Sequence, residues 1–103
     1  MAHVITLPAE LTSRAAARHL IPKGTSESDI VIAADSTLRA STGALDELVK
    51  TVLATGCERV TIVNATDRLE RALRVVHRAR TKPERTFLLL FREVPAEALL
   101  RAV

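Results

Sequence analysis

The stretch that decides the fold is Asp29-Ile30-Val31-Ile32-Ala33-Ala34, followed after a polar loop by a segment from Gly43 to Thr55. The first piece is a short, almost unbroken apolar run, the pattern of a central strand covered on both faces. The second carries Leu45, Leu48, Val49, Val52 and Leu53 at helical spacing. Asp46 and Glu47 are expected in its first turn, where acid complements the helix dipole, and Gly56 can end it. A buried strand feeding an amphipathic helix is the repeating unit of a parallel sheet.

Working outward, the same unit recurs. "HVITL" (3–7) predicts a strand stopped by Pro8, and "LTSRAAARHLI" (11–21) predicts a helix with Thr12 or Ser13 as its cap. Pro22 to Ser26 is polar and turn-forming, and is expected to be a mobile loop. "RVTIVN" (59–64) predicts a strand, and Asp67 to Arg80 a helix with Leu69, Ala72, Leu73 and Val76 on one side. "RTFLLLF" (85–91) predicts a last strand after Pro83, and "PAEALLRAV" (95–103) a closing helix with Pro95 near its start. The expectation is an α/β fold in a single domain over residues 1–103. Its sheet would be mostly parallel or mixed, with about four to five strands and about four helices.

Composition narrows the function. Apolar residues make up 48% of the 103 positions but aromatics only 2%, so the core is built from Leu, Val, Ile and Ala. With no Trp or Tyr, aromatic platforms for stacking bases are nearly excluded. One cysteine, Cys57, rules out an intramolecular disulfide framework and suits a reducing compartment, although its own role is not legible. No charged and apolar leader opens the sequence and no apolar run is long enough to span a bilayer. These features predict a soluble cytoplasmic protein without membrane insertion.

The net charge of +3 is unevenly placed. Between Arg68 and Arg85 seven basic residues face two acidic ones, so this segment is the basic part of a chain that is otherwise slightly acidic. Arg68, Arg71, Arg74 and Arg78 fall roughly opposite the apolar side of their helix, where a solvated surface is the plain reading and contact with an acidic protein partner the functional one. No groove-reading motif accompanies them, which argues against nucleic acid. His3, His19 and His77 sit on separate elements without metal-ligand spacing, and no nucleophile–base pattern surrounds Ser41, Thr42 or Cys57. Neither Gly24 nor Gly43 belongs to a phosphate-binding fingerprint. The sequence therefore predicts no enzyme, no cofactor and no metal, while a small-ligand or basic nucleic-acid-binding α/β domain stays as a further alternative.

Against this background, "VITLPAELTSRAAARHL" resembles the opening of STAS domains, the fold of anti-sigma factor antagonists. "DIVIAADSTLRASTGALDELVKTVLATG" resembles that family's central strand, signature loop and following helix, and "CERVTIVNATDRLERAL" its next strand and helix. The signature loop is Asp-Thr-Gly or Asp-Ser-Ser-Gly, whose hydroxyl after Asp is phosphorylated by a partner kinase. The first form matches Ser41-Thr42-Gly43 and makes Thr42 the acceptor; the second places Ala40 at the Asp and Ser41 at the acceptor. The acid is missing either way, and Ala33 stands where the family places an Asp at the strand end, with Asp35 close by.

The resemblance implies a non-enzymatic regulatory or adaptor protein. It would bind an anti-sigma factor, serine-kinase-like partner through the loop at 36–43 and the helix 43–55. The implied contacts are Asp35, Ser36, Arg39, Ser41, Thr42, Gly43, Asp46, Glu47 and Lys50, with Ser41 or Thr42 as phosphoacceptor. An alternative within the family is a STAS subunit that grips the ATPase of a lipid-trafficking ABC transporter. A homodimer through exposed strand edges is a further expectation.

Overall fold

The computed structural model describes residues 2–22 and 28–95. Most of the expected loop at Pro22–Ser26 and of the expected helix at 95–103 lies outside these residues. The elements are β1 (Ala2–Thr6), β2 (Glu10–Leu11), α1 (Arg14–His19), β3 (Asp29–Ala33), β4 (Arg39–Ala40), α2 (Thr42–Thr55), β5 (Arg59–Val63), α3 (Asp67–Arg80) and β6 (Leu88–Arg92).

Four strands form one sheet in the order β1-β3-β5-β6, and every pairing is parallel. Of the expected mostly parallel or mixed sheet, the parallel form is the one observed: each described strand returns through a helix, so among the described residues no hairpin contributes an antiparallel neighbour. The strand order advances steadily in one direction. Right-handed crossovers then place α1, α2 and α3 on the same face, where α2 packs between the other two.

The register fixes what that face contains. His3, Ile30, Val60 and Leu89 form one cross-strand row, and Ile5, Ile32, Ile62 and Phe91 the next. Below them pack Leu45, Leu48, Val49 and Val52 of α2 and Leu69, Leu73 and Val76 of α3, all buried. On the opposite face lie Val4, Val31, Thr61 and Leu90 in one row and Ala33 with Val63 in the next. The described helices shield the first face only; on this one Val4 and Leu88 are exposed and Val31 half-buried, while Ala33 and Val63 at the strand ends are buried. The expectation for β3 therefore holds on one face and in part on the other.

Element boundaries differ from expectation where local chemistry intervenes. The segment expected to be helical over 11–21 gives Leu11 to a second, two-stranded parallel ribbon, with Glu10 opposite Arg39 and Leu11 opposite Ala40. Helix α1 starts only at Arg14 because Ser13 caps it, its hydroxyl accepting from the Ala16 N–H at 3.1 Å. The last strand begins at Leu88 instead of Arg85, since Lys82 and Arg85 close a small turn on each other. Helix α2 ends where expected, with Gly56 at φ 74°.

Candidate functional site: the cleft beside Ser41 and Thr42

The loop between β3 and α2 is held from below. Thr37 is buried, and its hydroxyl donates to the Pro8 carbonyl at 3.1 Å. The Leu38 and Arg39 N–H groups both donate to the Ala9 carbonyl, and the Ser41 N–H to the Leu11 carbonyl. These bonds anchor the loop to the segment after β1, while the Leu38 side chain is 83% exposed on top of it.

Ser41 and Thr42 then have different tasks. Ser41 is the N-cap of α2: its hydroxyl accepts from the Ala44 N–H at 3.1 Å and its carbonyl from the Leu45 N–H. Thr42 is the first helical residue and exposed, with a hydroxyl that has no partner among the described residues. Gly43 sits within the helix, and an added Cβ would come no closer than 3.5 Å to the Arg14 side chain. Neither backbone strain nor a close approach demands glycine there.

This loop forms one wall of a cleft of about 360 Å³ at the C-terminal ends of the strands. The opposite wall is the start of α3, capped by Thr66, whose hydroxyl accepts from the Leu69 N–H at 3.2 Å. Leu45, Leu69 and Ala72 supply apolar lining. Around them stand Thr12, Ser41, Thr42 and Thr66 as hydroxyls, and Arg39 and Arg68 as charges. Among the described residues no Asp or Glu lines it. The sequence kept Arg39 and Arg68 in separate groups, one in the loop and one in the arginine row; the only hint of their meeting is that both lie next to a helix start.

Several expected contact residues are engaged elsewhere. Asp46 and Glu47 occupy the second turn of α2, not the first, because the helix starts at Thr42. Asp46 accepts from Arg14 of α1 at 2.9 Å and from both Nε and Nη2 of Arg80 of α3. Hydrogen bonds from Arg80 and then Arg14 hold its carboxyl well below the usual carboxylate range. Glu47 is only 6% exposed and pairs with Arg18 at 3.4 Å. Both carboxylates therefore bind helices together and are not free for a partner. Asp35, Ser36 and Lys50 are exposed as expected.

The arginine row also divides. Arg68 lines the cleft, whereas Arg71 reaches back to the Asp67 carbonyl at 3.4 Å. Arg74 pairs with Glu70 and lies 4.6 Å above the centre of the Phe91 ring. Arg78 borders a broad hollow of about 690 Å³ between α3 and β6, together with Lys82 and His77. His77 is a structural residue there, its Nε2 2.8 Å from the Phe87 carbonyl and its ring edge-on to Phe87.

Cys57 is buried behind the end of α2, and burial pushes its thiol above the ordinary value. Among the described residues no group of His, Cys, Asp and Glu could hold a metal ion, and no helix is long and apolar enough to cross a membrane. No protein-family model, curated protein or solved structure matches this chain. The class it falls into is therefore stated by its own geometry: a parallel α/β sheet with its described helices on one face and a basic cleft at the strand ends.

Proposed function

We propose that the chain is a STAS-type regulatory or adaptor protein of the cytoplasm, without enzymatic activity, that captures a protein partner through the loop at 36–43 and the exposed side of α2. The observation that carries this reading is the build of the loop. Its backbone is tied down by Pro8, Ala9 and Leu11, while Leu38, Arg39 and Thr42 project outward. A rigid backbone presenting one large apolar side chain beside a charge and a hydroxyl loses little entropy on docking. The sequence resemblance to anti-sigma factor antagonists, in which Thr42 aligns with the acceptor of the Asp-Thr-Gly form, supports the same reading.

Thr42 is the better phosphoacceptor of the two hydroxyls. Ser41 would have to surrender its cap to be modified, at about 1 kcal/mol of helix stability. Thr42 has no such bond, and a phosphate of about −1.5 to −2 charges at a helix N-terminus is locally tolerated. The same charge on a desolvated interface repels a partner. Affinity capture from the native host, with wild-type chain and with Thr42→Glu and Leu38→Asp variants, tests the reading. A kinase-like or ATPase partner held by wild type and lost from both variants is expected. Equal retention by Leu38→Asp would remove the loop as the contact, and equal retention by Thr42→Glu would remove the switch.

A further inference from the structure

Arg14, Arg18, Arg59, Arg74 and Arg80 each meet a carboxylate. Arg39 and Arg68 have no ion pair or hydrogen bond from their side chains among the described residues, and both line the same cleft, whose described walls contain no acid. Both guanidinium groups thus border one cleft whose described lining carries no carboxylate, an arrangement that an anion would complement. Arg68 is also the second residue of α3, where a cation opposes the helix dipole. Asp67 and Glu70 in the same turn offset part of that cost.

The geometry points to a binding site in this cleft for a small molecule bearing a phosphate monoester. Arg39 and Arg68 provide the planar, multiply donating groups that match phosphate oxygens. The Thr42 hydroxyl adds a neutral donor at the rim. Two guanidinium charges suit a dianion, whereas a monocarboxylate or a phosphodiester would leave one of them unmatched. The uncharged remainder of the ligand lies over Leu38, Leu45, Leu69 and Ala72. The cleft volume of about 360 Å³ is within the range that takes small organic ligands, roughly 300–1,000 Å³. This inference rests on the cleft alone and not on partner capture, so either can fail without the other.

Calorimetric titration of the full chain with phenyl phosphate at pH 7.5 and low salt tests it. One saturable site is expected, weakened at least tenfold by Arg39→Ala and by Arg68→Ala but unchanged by Arg71→Ala, which removes the same charge from the same helix as Arg68→Ala. Dimethyl phosphate, a monoanion, should bind at least tenfold more weakly than phenyl phosphate. Affinity for phenyl phosphate should fall on acidification through about pH 6, as the second proton returns. On wild-type chain, amide chemical-shift changes should centre on Thr42 and Arg68, a readout that needs no variant to fold. Absence of saturable binding, equal weakening by Arg71→Ala, or shifts centred on Arg78 and Lys82 would overturn the proposal.

Discussion

Asp46 shows how a single carboxylate can join three helices. It stands on the central helix and takes Arg14 from one side and Arg80 from the other. Because its folded-state pKa is depressed, the stability it confers is present above the unfolded carboxylate value of about 3.9. That stability is lost as pH falls from there towards the folded value. Urea midpoints measured between pH 7 and pH 2 should therefore drop more steeply below about pH 4 for wild type than for Asp46→Asn. At pH 7 the Asn variant should be the less stable of the two, because it loses the charge that Arg14 and Arg80 share. Cys57 makes a second residue-scale expectation. Its burial and raised pKa should keep it unreactive to a thiol reagent in the native protein at pH 7.5 and expose it fully in denaturant. The sequence showed both residues but not these roles: Asp46 is separated by more than thirty residues from each of its arginines, and no local pattern announces such a contact.

At the scale of elements, the two ends of α2 separate two kinds of helix signal. Ser41→Ala removes the cap and should lower stability by about 1 kcal/mol in urea unfolding, whereas Thr42→Ala should change it by less than about 0.5 kcal/mol. Gly56→Ala should be destabilising by about 1 kcal/mol, because φ 74° is a left-handed conformation that a Cβ disfavours. Gly43→Ala, at an ordinary helical position with room for the methyl, should be neutral or stabilising. The helices were largely legible, since 3.6-residue periodicity is local, as were Ser13 as one of two candidate caps of α1 and Gly56 as the end of α2. The two-residue strands β2 and β4 were not. Their pairing is decided by where Pro8 and Thr37 bring the chain, across nearly thirty residues of sequence.

At the scale of the molecule, strand–helix alternation was enough to read an α/β sheet, and its parallel strands follow from the helical crossovers between them. The cleft was not legible, because its walls come from the loop at 37–42 and the start of α3 and meet only through the packing of α2 on α3. A substitution deep in that packing, such as Leu73→Ala, should destabilise the whole domain by about 2–5 kcal/mol in equilibrium unfolding. The wholly parallel sheet also bears on how the chain reaches its native state. Ala2 pairs with Asp29, Asp29 with Arg59 and Arg59 with Leu88, so every main-sheet pairing bridges about thirty residues. The main sheet therefore cannot be nucleated by a hairpin, and each strand emerging from a ribosome must wait for the next helix and strand before it gains a neighbour. Its early life is spent with an unpaired, β-branched edge in the open, where a holding chaperone or a neighbouring nascent chain can reach it first.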